Sequence, residues 1–168
     1  MDTIYFITQQ TMSFAIPLLI VAIGGMFSER SGVVNIALEG IMIMGAFAGI
    51  LFINQFESSM SGQSLLLLAL LVAGVTGGLF SLLHAFAAIN LKADQTISGT
   101  ALNLFAPAFA IFVARMIQTT QQIPFTNTFF IKEVPVLSSI PIIGDLFFKN
   151  VYITTYLGIL IFIIAYIV

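Results

Sequence analysis

Cysteine and tryptophan are absent from this 168-residue sequence, and charged residues make up only 7% of it. Without cysteine, the chain has no disulfide framework, no thiolate metal site and no cysteine nucleophile. A soluble domain carries about 25% charged residues, whereas this chain is 60% hydrophobic, with a mean hydropathy of +1.12. The composition therefore predicts an integral membrane protein, surrounded by a lipid bilayer.

Missing motifs disfavour several functional classes. The sequence contains no phosphate-binding G-x-x-x-x-G-K-[ST] loop, no H-E-x-x-H zinc motif and a single histidine. Its net charge is -2 and it has no basic patch, which gives no support for nucleic acid as a partner. We predict that the chain is not an enzyme and that it binds no cofactor and no metal.

Apolar stretches set the expected architecture. A membrane-spanning helix needs about 20 mostly apolar residues. Five stretches meet or approach this length and predict an all-α, polytopic bundle of about five transmembrane helices in one domain over residues 1–168. The predicted spans are residues 4 or 12 to 27, 36–56, 64–91, 96–117 and 152–168. Asp94 is the expected N-cap of the fourth span.

Two segments late in the chain carry further expectations. Residues 118–150 contain three prolines and are interpreted as an exposed loop, with a short interfacial helix at residues 140–148. The last apolar stretch reaches Val168 without a polar flank. We therefore expect the chain to be the N-terminal portion of a longer protein.

Positive charges in short loops indicate orientation, because such loops are enriched in Lys and Arg on the cytoplasmic side. Arg30 and Lys92 lie in short loops at one predicted end of the bundle, while the turn at Glu57 holds neither residue type. This places Arg30 and Lys92 in the cytoplasm, with the N-terminus and the long loop outside.

Polar side chains interrupt the apolar tract at residues 27–46. Asn35 and Glu39 are four residues apart and share one helix face. Two interpretations stay open for them: a clamp between helices, or a polar wall of a transport path, since an intramembrane carboxylate suggests function. Glu29 and Arg30, together with Gly32, are interpreted as a structural motif at an interfacial turn.

The fourth predicted span carries a second set of polar residues. Thr96, Thr100, Asn103 and Pro107 recur at helical spacing and form one stripe. Threonine hydroxyls often bond back to their own helix, but the Asn103 amide needs another helix or a wet cavity. Thr100 and Asn103 therefore join Asn35 and Glu39 as candidates for the lining of a substrate path.

The third span offers one titratable group and one packing motif. His84 is interpreted either as a hydrogen-bonded packing residue or as a proton or substrate contact. Two G-x-x-x-G motifs, Gly45 with Gly49 and Gly74 with Gly78, favour close helix packing in a membrane.

Two runs of the sequence resemble a known family. The run F-S-E-R-S-G-V-V-N-I-A-L-E-G-I-M-I-M-G-A-F and the later run A-D-Q-T-I-S-G-T-A-L-N are similar to signatures of permease subunits in bacterial ABC importers for nucleosides and simple sugars. These permeases belong to the branched-chain amino acid and ribose permease superfamily. The nucleoside branch is the closer match, because the ribose branch is richer in Asp and Ser in the first run.

The resemblance implies an importer that moves nucleosides or related solutes across the bacterial plasma membrane by alternating access. It implies a second permease subunit, a cytoplasmic ABC ATPase and an extracellular substrate-binding (lipo)protein as partners. It also implies further spans and a cytoplasmic coupling helix that residues 1–168 do not include. The alternative reading from the residues is a secondary transporter or channel subunit, which also buries polar groups between broken helices.

Overall fold

The computed structural model describes residues 2–135, 138, 140 and 143–167. Within this part of the chain lie six helices and two short strands. The helices are α1 (Asp2–Arg30), α2 (Leu38–Phe56), α3 (Gly62–Ile89), α4 (Gln95–Gln118), α5 (Ile143–Phe147) and α6 (Ile153–Ile167), and the strands are β1 (Phe130–Glu133) and β2 (Lys149–Tyr152). Four helices, α1 to α4, are long and apolar enough to cross a membrane, and α6 is a shorter apolar helix. The prediction of an all-α polytopic membrane protein is confirmed.

The helix bounds agree closely with the predicted spans after residue 36. Asp94 caps α4 as predicted: its carboxylate accepts hydrogen bonds from the backbone N–H groups of Thr96, at 2.8 Å, and Ile97, at 3.0 Å. The first boundary differs from the prediction. α1 continues to Arg30, so the non-helical break covers residues 31–37 instead of starting at residue 28.

The described chain forms two compact units, and residues 25–128 make up one of them. In this unit α2 packs between α3 and α4. Gly45 and Gly49 let α2 approach α3 closely, since a Cβ at Gly45 would lie 2.9 Å from the Ala73 carbonyl oxygen. The second predicted glycine motif makes no such contact, because no described atom lies within 4 Å of a Cβ built at Gly74 or Gly78.

The other unit combines residues 1–24 with residues 129–168. Here β1 and β2 pair antiparallel, with Phe130 opposite Tyr152, in a region predicted as a loop. The helix α5 is shorter than the predicted interfacial helix at residues 140–148, and residues 141 and 142 of that prediction lie outside the described residues. The Lys149 ammonium lies 2.7 Å from the Asp145 carboxylate, and this hydrogen bond raises the pKa of Lys149.

Candidate functional site at a break between two helices

The chain leaves α1 through a tight, glycine-dependent turn. The Gly32 N–H bonds the Glu29 carbonyl oxygen at 3.0 Å, and the Val33 N–H bonds the Ser28 carbonyl oxygen at 3.3 Å. These paired bonds form a Schellman motif, which satisfies the last carbonyl groups of a helix. Gly32 has φ +88°, a left-handed conformation that glycine adopts without steric cost. The predicted structural role of Gly32 thus has a physical basis.

The extended segment after this turn is held by side chains from other helices. The Val34 N–H donates to the side-chain oxygen of Gln95 at 2.8 Å, and the Asn103 amide donates to the Ile36 carbonyl oxygen at 2.8 Å. Backbone N–H and C=O groups outside a helix need such partners or water when they are shielded from solvent. The break at residues 31–37 is therefore a built feature, supported from α4.

His84 on α3 adds a third support. This residue is only 2% exposed, with Nε2 3.4 Å from the Val34 carbonyl oxygen and Nδ1 2.8 Å from the Ser98 hydroxyl oxygen. A ring that carries its proton on Nε2 alone fits both contacts, because Nδ1 then accepts from Ser98. This geometry favours the packing interpretation of His84 over a substrate contact.

Two glycines allow the break to sit directly against α4. A Cβ at Gly99 would lie 2.9 Å from the Ile36 Cβ, and one at Gly40 would lie 2.7 Å from the Leu102 carbonyl oxygen. Real Cβ contacts are essentially never this short, so a larger residue at either position forces the backbone apart. The contact between the start of α2 and α4 thus requires glycine on both sides.

The predicted path residues fall into two groups. Asn35 is half-buried and its side-chain oxygen accepts from the Ala37 N–H at 3.1 Å, which makes a local turn. Asn103 is half-buried and has both amide atoms on the break and the start of α2. Glu39 and Thr100 are exposed, and neither side chain bonds another residue within the described part of the chain.

Glu39 lies at the N-terminal end of a helix, whereas Glu29 and Arg30 lie at the C-terminal end of another. Glu39 is in the first turn of α2, where the helix dipole favours a negative charge. Glu29 and Arg30 are exposed in the last turn of α1, and neither forms an ion pair in the described residues. The structure brings Asn35 and Asn103 to the break and leaves Glu39 and Thr100 at the surface of the unit.

Sequence reasoning did not single out Gln95, Ser98 or Gly99. For Gly40, beside Glu39, it indicated room for a neighbouring backbone or a ligand, and the Leu102 backbone lies there. The first three belong to the run A-D-Q-T-I-S-G-T-A-L-N, and Gly40 belongs to the first signature run. The two runs that carry the family resemblance therefore contact one another across α2 and α4. The presence of both runs in one sequence was the signal that could have pointed to these residues.

The comparison with known families supports this reading of the two runs. The family described as "Branched-chain amino acid transport system / permease component" matches residues 7–168. The chain belongs to this family. A permease component is a transport subunit and not an enzyme. With four long apolar helices, it is a multi-pass protein of the bacterial plasma membrane.

Three relatives show how broad the family likeness is. The chain is 46% identical over 156 residues to the guanosine ABC transporter permease protein NupQ of Bacillus subtilis, which covers 91% of this chain and 48% of that relative. It is 40% identical over 165 residues to the nucleoside ABC transporter permease protein NupC of Lactococcus lactis, covering 98% of this chain and 52% of the relative. A putative glucose ABC transporter permease protein of Haloferax volcanii is 30% identical over 150 residues, covering 89% of this chain and 43% of the relative.

The matches cover nearly all of this chain but only part of each relative. The chain spans about half the length of the curated relatives it matches. No solved structure matches the chain.

Proposed function

We propose that this chain forms part of the membrane-spanning permease subunit of an ATP-driven ABC importer for nucleosides. The observation that carries the proposal is its identity of 46% and 40%, over nearly the whole chain, with relatives named as guanosine and nucleoside permeases. Transport by alternating access would be driven by ATP hydrolysis on a partner chain, since this sequence has no phosphate-binding loop.

The proposal includes a set of partners. A permease of an ABC importer works with a cytoplasmic ATPase, a second permease subunit and an extracellular substrate-binding (lipo)protein. The coupling helix that docks the ATPase would lie beyond residue 168, in the half of the relatives' length that this chain does not span. We therefore expect residues 1–168 alone to insert into membranes without retaining the ATPase.

The geometry of the break supports two different roles for the predicted path residues, solute contact and helix positioning. The side chains of Glu39 and Thr100 are exposed and make no hydrogen bond to a described residue. They are therefore the candidates for direct contact with solute. Asn103 and Asn35 already use their amides on the break. Their role in the path is to position the start of α2.

The glucose relative defines the competing substrate class. Sugars and nucleosides share hydroxyl groups, and only nucleosides carry a base with an aromatic face. The test is uptake by the whole permease, assembled with its ATPase and binding protein in proteoliposomes that contain ATP. We expect ATP-dependent uptake of guanosine or another nucleoside and no uptake of glucose. Uptake of glucose alone would overturn the nucleoside assignment, and uptake without ATP would indicate a secondary transporter.

A further inference from the structure

A groove between α2 and α4 has a lining suited to an aromatic, polar solute. Its volume is about 490 Å³, within the range of roughly 300–1,000 Å³ that is typical of small-molecule sites. The lining is formed by α2, α4 and the segment after α4: Ile43, Ala46, Phe47, Ile50, Ala110, Ile111, Ala114, Gln121, Gln122 and Ile123. None of these residues was predicted as a site residue.

One aromatic ring, that of Phe47, lines the α2 side of the groove. The Phe47 ring meets Phe109 edge-on, with ring centroids 6.4 Å apart and an interplanar angle of 80°. Phe109 in turn stacks on Phe105 at 5.4 Å, and Phe105 stacks on the buried Phe80 of α3 at 6.2 Å. This row of rings connects Phe47 to the interior of the unit and limits where its ring can turn.

One end of the groove is polar and firmly placed. Gln121 and Gln122 line it, and neither side-chain amide makes a hydrogen bond to another residue in the described ranges. The Gln122 carbonyl oxygen accepts a hydrogen bond from the Thr120 hydroxyl at 2.9 Å. The segment that carries them is anchored, because the Asn54 amide on α2 donates to the Pro124 carbonyl oxygen at 2.6 Å. Gln118 also donates to the Asn54 side-chain oxygen at 3.2 Å. Two amides with donors and acceptors to spare thus lie at the mouth of a mostly apolar groove that contains one phenylalanine.

The faces of α2 and α4 that line the groove also carry the predicted path residues, at the end away from Gln121 and Gln122. On α2, Glu39 precedes Ile43 by four residues and Ala46 by seven, which places all three on one face. On α4, Thr100 and Asn103 belong to the stripe that continues to Ala110 and Ile111. The groove therefore lies along the line that the sequence suggested for a substrate path.

We propose that this groove binds the nucleobase of the transported nucleoside, a step that rests on the proposed function. Every nucleobase has a flat π face that stacks on aromatic side chains, and Phe47 supplies such a ring. The base edge carries both donors and acceptors, which match the amides of Gln121 and Gln122.

Aqueous access and protection provide the first test. The chain contains no cysteine, so Ala46→Cys introduces a single thiol within residues 1–168, at an exposed position that tolerates the small change. In the assembled transporter, with other cysteines removed, we expect a water-soluble thiol reagent to modify this site. Guanosine should slow the modification at least several-fold, whereas ribose at the same concentration should not. A site that never reacts would mean that lipid or protein fills the groove, and a reacting site that guanosine leaves unprotected would also overturn the proposal.

Uptake kinetics provide the second test. Phe47→Leu keeps the side chain apolar but removes the ring, and we expect the KM for nucleoside uptake to rise by about tenfold or more, as for the loss of one base–aromatic stack. Gln122→Leu should change the relative KM values of purine and pyrimidine nucleosides. Phe112→Leu and Gln55→Leu are matched controls, since both residues are exposed and lie outside the groove, and both should leave KM unchanged.

The outcomes separate this inference from the function on which it rests. Absence of nucleoside uptake by the unmodified transporter would overturn both. Normal nucleoside uptake with unchanged KM values in Phe47→Leu and Gln122→Leu would overturn the groove assignment alone.

Discussion

The side-chain oxygen of Asn103 accepts a hydrogen bond from the backbone N–H of Gly40 at 2.7 Å. Gly40 is in the first turn of α2, where backbone N–H groups have no partner within the helix. The residue that precedes α2 is Ala37, which makes no side-chain cap. Asn103 thus caps α2 from a different helix, and its amide nitrogen holds Ile36 in the break at the same time.

Asn103→Leu should destabilise the protein, because it leaves the Gly40 N–H and the Ile36 carbonyl without partners. Each unsatisfied group costs about 1–3 kcal/mol when buried, so the thermal midpoint of the purified transporter should fall clearly. Asn103→Asp keeps an acceptor for Gly40 but replaces the donor to Ile36 with a charged oxygen that repels the Ile36 carbonyl, so its midpoint should also fall below that of the unmodified protein.

Thr100→Val is the matched control for these variants, one turn earlier on α4 and exposed. Its thermal midpoint should match that of the unmodified protein. An Asn103→Leu variant as stable as this control would show that the bonds to Gly40 and Ile36 contribute nothing.

The two glycine motifs of α2 and α3 should respond in opposite ways to alanine. Gly45→Ala places a Cβ 2.9 Å from the Ala73 carbonyl oxygen, so α2 and α3 must separate and stability should fall. Gly78→Ala meets no described atom within 4 Å, and alanine favours a helix over glycine by about 1 kcal/mol. Thermal unfolding in detergent should therefore show a lower midpoint for Gly45→Ala and an equal or higher one for Gly78→Ala. A reversed order would contradict the assigned helix contact.

Local signals in the sequence were sufficient for most of the helical framework. The apolar lengths of α2, α3 and α4 and the cap at Asp94 depend on neighbouring residues, and their predicted bounds lie close to the observed ones. The strands β1 and β2 depend on pairing between distant positions, such as Phe130 with Tyr152. Their short length and the intervening prolines leave little periodicity to detect.

In the candidate site, too, features set by neighbouring residues were predictable from the sequence, and features set by distant residues were not. Asn103 was identifiable because an amide in an apolar span needs a partner, but nothing local indicates that its partner is the N–H of Gly40. Likewise, two identical glycine motifs differ in use, because only Gly45 and Gly49 face a neighbouring backbone. The groove at Phe47 needed the fold, since its two walls come from separate helices.

The orientation of the chain is testable with single cysteines. Within the unit of residues 25–128, Glu57 accepts a hydrogen bond from the Thr126 N–H at 2.8 Å, so these two loops share one end. The bond from Val34 to Gln95 places the break and the Lys92 loop at the other end. Because short cytoplasmic loops are enriched in Lys and Arg, we expect the Lys92 end to be cytoplasmic.

In intact cells, Ser61→Cys and Gln121→Cys should therefore react with a membrane-impermeant thiol reagent. Ala93→Cys should react only after permeabilisation. The three sites serve as controls for one another, because all are exposed in the structure. Labelling of Ala93→Cys in intact cells, with Ser61→Cys protected, would reverse the assigned topology.

Glu39 is the residue for which charge and shape are best separated by substitution. It is exposed on the first turn of α2 and has no partner among the described residues, although an unpaired charge inside a membrane costs about 2.5 kcal/mol or more. If Gly32 marks the membrane interface, we expect a wet path or another part of the transporter to meet this carboxylate. If the carboxylate serves transport, Glu39→Gln, which keeps the shape and most hydrogen bonding, should reduce nucleoside uptake while subunit levels and complex assembly stay normal. If Glu39 instead clamps a neighbouring subunit, Glu39→Gln should be mild, and Glu39→Leu should lower assembled complex and uptake in parallel. The measurements are uptake in proteoliposomes and the yield of assembled complex from one preparation. Normal uptake in both variants would exclude Glu39 from either role.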